Sequence, residues 1–154
     1  MAQSEGEYVS KYLIVDLDGT LACDKHRNHL LQEKPRLWDA YFALCDKDQV
    51  HDDIRYIVNM FETMGHHIVI ITGRCESVRR KTVEWLDKHD IGFDSLLMRP
   101  VGDRTDDHEL KLGIAKRIGL TPNRVLAVLE DRQRVVDAWR AAGYRCLQVA
   151  PGNF

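Results

Sequence analysis

Apolar residues fall into five short runs, Tyr12 to Val15, Ile68 to Ile71, Leu96 to Met98, Val125 to Leu129 and Cys146 to Val149, most of them separated by stretches with helical spacing. Ile54, Ile57, Val58, Phe61 and Met64 recur every three or four positions, as one face of a helix does, and Gly65 stands where that helix would stop. Val78, Thr82, Trp85, Leu86 and His89 outline a second face. Leu110, Ile114 and Ile118 before Gly119 give a third, and Val135, Val136, Trp139 and Ala142 before Gly143 a fourth. Strands that are apolar almost throughout have no solvent face. With helices between them they predict a mostly parallel sheet covered on both sides, an α/β, Rossmann-like, doubly wound fold. The least regular part, 21–50, carries mixed charge and the cluster Leu37, Trp38, Tyr41, Phe42 and Leu44. It is expected to form a small helical cap insertion after the first strand, within a single domain over 11–154 that follows a flexible N-terminus over 1–10.

Composition narrows the possible partners. At 154 residues and 44% hydrophobic, the chain matches one domain with a substantial core. A net charge of −2 gives no global attraction to nucleic acid or an anionic membrane, so any polyanion contact has to be local. No apolar run approaches the roughly 20 residues of a membrane span. Met1 to Ser10 lack the basic start and apolar stretch of an export signal, so a cytoplasmic location is expected. Cys23, Cys45, Cys75 and Cys146 form no Cys-x-x-Cys pair and are expected to be reduced structural thiols. Nothing in the composition decides against a homo-oligomer.

Chemistry concentrates at strand ends. Asp16-Leu17-Asp18-Gly19-Thr20 sits at the carboxyl end of the first strand, where open α/β sheets bind ligands. Two carboxylates one residue apart, followed by a turn-forming glycine, can cradle Mg²⁺; the plain alternative is a solvated turn. The second strand ends in Thr72-Gly73-Arg74, where a hydroxyl, a flexible backbone and a guanidinium fork can clamp a phosphate. Otherwise Thr72 caps a helix and Arg74 is a surface charge. The fourth strand ends in Glu130-Asp131, a third acidic tip that could complete a metal site with Asp16, while Lys111 could neutralise a transferred phosphoryl group.

In their order and placement, Asp16 to Thr20, Thr72 to Arg74, Lys111 and Glu130-Asp131 resemble the four successive motifs of the haloacid dehalogenase (HAD) superfamily. Gly102 to Asp107, Glu130 to Trp139 and Gln148 to Phe154 further resemble the 3′-phosphatase domain of phage polynucleotide kinase/phosphatase. One departure is Glu130, where relatives often carry Asp. The resemblance implies sheet order 5-4-1-2-3, which gathers Asp16, Thr72 and Asp131 around one pocket. It also implies a Mg²⁺-dependent phosphomonoesterase acting through an aspartyl-phosphate. Asp16 would be the nucleophile, and Asp18 the general acid and then base. Asp16, the backbone carbonyl of Asp18, and Asp131 beside Glu130 would hold Mg²⁺. Thr72, Gly73 and Arg74 would bind phosphoryl oxygens, and Lys111 would bridge phosphate and Asp16.

For Asp18 to act as an acid its pKa must rise, and nearby carboxylates with partial burial are expected to raise it, giving an acid-side pH optimum. The implied substrate is a nucleic-acid 3′-phosphate end, with Arg79, Arg80, Lys81, Arg99 and Arg104 as local positive surface. No Gly-x-x-x-x-Gly-Lys-[Ser/Thr] loop occurs, so no 5′-kinase activity is expected from these residues. The alternatives are a nucleotidase or other small-molecule phosphatase, and an inert metal-dependent binding module. Trp38, Tyr41 and Phe42 form either a base-stacking wall or helix core.

Overall fold

The computed structural model describes residues 9–153, so the segment expected to be flexible lies almost wholly outside the described residues. Strands β1 (Tyr12–Val15), β2 (Ala22–Cys23), β3 (Gln49–Val50), β4 (His67–Cys75), β5 (Ser95–Arg99), β6 (Val125–Glu130) and β7 (Cys146–Gln148) alternate with helices. The helices are α1 (Trp38–Ala43), α2 (Asp52–Thr63), α3 (Arg79–Lys88), α4 (Asp107–Arg117) and α5 (Gln133–Ala141).

The main sheet is parallel with order β5-β4-β1-β6-β7. Counting its five strands alone, this is the expected 5-4-1-2-3 order read from the opposite edge. The two remaining strands, β2 and β3, pair antiparallel at the base of the insertion and had no counterpart in the sequence reading.

Central β1 shows why these strands are apolar throughout. Leu13 and Val15 pack with Ile54, Val58, Trp85 and Leu86 on one face, while Ile14 packs with Leu110, Ile114, Val136 and Trp139 on the other. Alternate side chains thus enter two separate cores, each fully buried aliphatic contributing roughly 1.5–3 kcal/mol. Helices α4 and α5 stop before Gly119 and Gly143, whose φ of +72° and +91° suit only glycine at low cost.

One strand is longer than its apolar run. β4 continues through Thr72, Gly73 and Arg74 to Cys75, which pairs with Arg99 after a register shift beyond Ile71. The presumed phosphate loop is therefore irregular strand, a place where bulges re-aim side chains.

The insertion contains a 3₁₀ turn over Lys25–Leu31, then α1, then a second 3₁₀ turn over Cys45–Lys47, with Tyr41, Phe42 and Cys45 buried. All four cysteines are free thiols. Among the described residues no helix is long and apolar enough to cross a membrane.

Candidate active site

The carboxyl ends of β1 and β6 lie side by side, and Asp16 is tied to that junction by its N–H donating to Leu129 O at 3.0 Å. One carboxylate oxygen each from Asp16, Glu130 and Asp131 lie within 4.8 Å of one another, and all three residues are buried. The Thr20 hydroxyl stands 3.4 Å from both Asp16 Oδ2 and Asp131 Oδ1. The turn between them requires Gly19, because a Cβ there would stand 2.3 Å from Asp131 Oδ2 and the residue has φ +83°.

Lys111 enters this cluster from α4. Its Nζ is 2.9 Å from Asp16 Oδ1, 2.7 Å from Glu130 Oε2 and 3.2 Å from Asp107 Oδ2. A single ammonium facing this many carboxylates leaves the site too negative. Burial and the neighbouring Glu130 push the Asp16 carboxyl well up despite Lys111, and burial with the Asp16 charge pushes Asp131 up to about 6. Buried, oxygen-only donors with excess negative charge fit a hard divalent cation. Within the trio, Glu130 Oε1 accepts the N–H groups of Asp131 and Arg132 at 3.2 and 3.3 Å while Oε2 takes Lys111. Glu130 thus orients its neighbours, leaving Asp16 and Asp131 as the carboxylates that could bind a cation.

Asp18 is outside this cluster. Its carboxylate accepts from Arg27 Nη2 at 2.5 Å and from Arg74 Nη2. Arg27 also holds Asp48 through Nε at 2.8 Å and Nη2 at 2.6 Å, and Arg74 donates to Thr82 Oγ1 at 3.2 Å. Both arginines are fully buried. Burial alone would raise the Asp18 pKa, but the Arg74 and Arg27 charges outweigh it and hold the group at about 2. The expected upward shift is therefore reversed, because the neighbours of Asp18 are guanidinium groups rather than carboxylates. Arg74 likewise does not present the open fork expected of a phosphate clamp: its guanidinium nitrogens are bonded to Asp18, Thr82 and Asp48, so it holds the Asp18 carboxylate in place.

The remaining sequence-derived residues divide in the same way. Thr72 is buried beside the site, its hydroxyl accepting the Arg74 N–H at 3.1 Å and keeping its own proton to donate. Gly73 is needed because a Cβ would stand 2.2 Å from Asp107 Oδ1. Arg99 donates to Gly73 O at 3.1 Å and Thr105 O at 2.6 Å and approaches Asp107 at 3.3 Å, so it buttresses this edge instead of offering a free charge. Arg79 is paired to Glu76 at 2.6 Å, Arg80 to Glu84 at 2.8 Å, and Lys81 donates to Ala43 O at 2.5 Å. Arg104 is exposed and has no ion-pair partner among the described residues.

Sequence reasoning missed Arg27 and Asp48; it named Asp107 and Gln148 only within stretches that carry the resemblance, whereas in the structure Asp107 meets Lys111 from four positions earlier on one helical face and Gln148 Nε2 donates to Asp131 O at 3.0 Å. Arg27 and Asp48 carry no local signal.

The chain matches a family model described as the polynucleotide kinase PNKP phosphatase domain over residues 10–154. It is 29% identical over 142 residues to a protein of Autographa californica nuclear polyhedrosis virus named as a bifunctional polynucleotide kinase/RNA ligase, covering 88% of this chain and 18% of the viral protein. Among solved structures, a chain of a Pnkp1/Rnl/Hen1 complex superposes with TM-score 0.79 and 28% identity over 99% of this chain and 52% of its own. CbbY from Rhodobacter sphaeroides, solved with phosphate, superposes with TM-score 0.63 at 16% identity over 95% of this chain and 88% of its own, a likeness of fold. The chain thus spans about a fifth of the viral relative and about half of the matched chain in the complex.

Proposed function

Because the chain belongs to the polynucleotide kinase PNKP phosphatase-domain family of HAD phosphatases, we propose that it removes the 3′-phosphate from polynucleotide ends through a phosphorylated Asp16. The observation that carries this reading is the convergence of Asp16 and Asp131 from separate strand ends on one buried cluster, with Lys111 bonded to Asp16.

Asp16 attacks phosphorus in line, forming a carboxyl–phosphate bond as the phosphorus–O3′ bond breaks. Lys111 and Thr72 hold phosphoryl oxygens. Asp16, Asp131 and the backbone carbonyl of Asp18, beside Glu130, would hold Mg²⁺, which would supply positive charge to offset repulsion between an anionic nucleophile and an anionic substrate.

Asp18 handles the proton. Since Arg27 and Arg74 keep it charged in the free site, the proton passed to the leaving 3′-oxygen enters on the substrate, whose second phosphate pKa is about 6, and Asp18 relays it. In the second half, Asp18 takes a proton from the water that attacks the aspartyl-phosphate, releasing inorganic phosphate and restoring Asp16. An acid-side optimum then reflects the protonation of the substrate.

The test is phosphate release from a 3′-phosphorylated oligonucleotide, a 3′-mononucleotide, a 5′-mononucleotide and a sugar phosphate, each with Mg²⁺ and with a chelator. The expected result is Mg²⁺-dependent turnover favouring the oligonucleotide, with Asp16→Asn inactive. Turnover of small substrates alone overturns the polynucleotide assignment, and no turnover on any of them overturns the phosphatase reading itself.

A further inference from the structure

Trp38 at the start of α1 is 41% exposed, although the residues beneath it are core. Its ring stacks on buried Phe42 at 5.8 Å and 25° and meets buried Tyr41 edge-on at 6.0 Å and 89°. An aromatic base of this kind fixes the ring while leaving part of it open to solvent. The neighbouring Leu37 and Leu44 are also exposed, at 43% and 39%.

This platform is joined to the catalytic end of the fold. The Arg27 guanidinium lies over the Tyr41 ring at 4.0 Å from its centroid, and the same arginine holds Asp18. One buried ring therefore separates Trp38 from the arginine that positions the proposed acid. Through Tyr41 and Arg27, Trp38 is thus connected to Asp18, two positions along the chain from Asp16, where the terminal phosphate would rest.

Charge points to the same occupant. In the segment 25–39, Lys25, Lys34 and Arg36 are exposed against two exposed carboxylates, Glu33 and Asp39, and among the described residues none of the three cations has an ion-pair partner. Of the five cations expected from sequence to meet the substrate, Arg79, Arg80, Lys81 and Arg99 are paired within the protein, and Arg104 is exposed with no ion-pair partner among the described residues. Arg36 also stands 5.9 Å from the Trp38 ring centroid. A rigid, half-open indole flanked by unpaired cations is the combination that holds single-stranded nucleic acid, with the ring stacking a base and the cations meeting phosphates.

We propose that Trp38, flanked by Lys34 and Arg36, is a stacking platform for one of the last nucleobases of a single-stranded polynucleotide whose 3′-phosphate occupies the Asp16 site. This rests on the phosphatase reading above. It divides the aromatic cluster: Tyr41 and Phe42 are core, while Trp38 is binding surface.

The test is a set of 3′-phosphorylated oligonucleotides in which each of the last four nucleotides in turn is made abasic. For the unmodified protein, one abasic position raises KM about tenfold, as expected for losing one stacked base, while kcat holds within about threefold. Trp38→Leu shows the raised KM with the intact strand and gains no further penalty from that abasic position, whereas Trp38→Tyr keeps most of the discrimination. Thermal melting of each variant monitors the fold.

Should Trp38→Leu unfold, quenching of tryptophan emission by acrylamide in the unmodified protein serves instead. Trp85 and Trp139 are each 1% exposed, so the quenchable signal belongs to Trp38, and an intact oligonucleotide should shield it better than the abasic one. Phosphate release with a flat abasic scan overturns the platform alone. No release from any 3′-phosphorylated strand overturns the function on which it rests.

Discussion

Arg27 Nη2 lies 2.5 Å from Asp18 Oδ1 and 2.6 Å from Asp48 Oδ2, so one fully buried guanidinium links the proposed proton-transfer group to the insertion that folds over it. The same nitrogen thus ties the carboxyl end of β1 to the insertion.

Removing that group leaves two carboxylates facing each other with only Arg74 between them. Arg27→Ala is expected to lower stability by about 3–5 kcal/mol, the cost of breaking a buried ion pair, and to reduce kcat at least a hundredfold. Arg27→Lys should rescue little, because one ammonium cannot reproduce the fork. Denaturant melts and phosphate-release kinetics check both; retained activity in Arg27→Ala would remove Asp18 positioning from the account.

Lys111 meets Asp16, Glu130 and Asp107. Lys111→Met should cut kcat by about 10²–10³ at saturating Mg²⁺, in the range of losing one preorganised charge donor at a reacting centre. Steady-state kinetics at several Mg²⁺ concentrations separate this from a metal-binding defect, which extra Mg²⁺ would repair.

Gly19 and Gly102 both have positive φ, +83° and +81°, but a Cβ at Gly102 meets nothing within 4 Å whereas one at Gly19 meets Asp131. Gly102→Ala should cost only the backbone strain of about 1–2 kcal/mol and leave turnover intact. Gly19→Ala should carry that strain and also displace Asp131, weakening Mg²⁺ affinity at least tenfold. Isothermal titration with Mg²⁺ distinguishes them, and equal Mg²⁺ affinity in the two variants would count against Asp131 as a ligand.

The metal-free protein should become more stable as pH falls. Asp131 has a folded pKa of about 6 against 3.8 in the open chain, so the folded form binds its proton more tightly. The resulting stabilisation grows as pH drops through 6 and is fully present only below 3.8, on the order of 3 kcal/mol. Asp16 and Glu130, also raised, act in the same direction. Asp18, lowered to about 2, opposes it only below about pH 4. Melting temperature in chelator should therefore rise from pH 7.5 to 5, and added Mg²⁺ should stabilise more at pH 7.5, where no proton competes for the carboxylates. A metal-free melting curve flat across this range would mean the acidic cluster is not strained.

Much of the site was readable in advance, because it hangs on strand ends. The apolar runs of β1, β4 and β6 end toward one end of the parallel sheet, even though β4 itself runs on to Cys75, so Asp16, Thr72 and Asp131 had to emerge near one another once the order was known. The contact of Lys111 with Asp16 was implied by the family resemblance, not by the strand ends, because Lys111 stands on α4. Arg74 was legible as an important residue, and its task was misread: a guanidinium after Thr-Gly at a strand end looks free to meet phosphate until a distant segment supplies the carboxylate that occupies it.

From the sequence alone came the alternation of strands and helices, the layered fold, the acidic tips and, through resemblance, the order of the sheet. These depend on local periodicity and on which residues can stand at a turn. Tertiary structure decided which charges meet: that Arg27 and Asp48, 21 positions apart, close on Asp18; that Arg79 and Arg99 are spent inside the protein; and that Trp38 stays open while Tyr41 and Phe42 are buried. A charge pair is set by distance in space and by the loss of water around it, and neither is encoded in the spacing of residues along the chain.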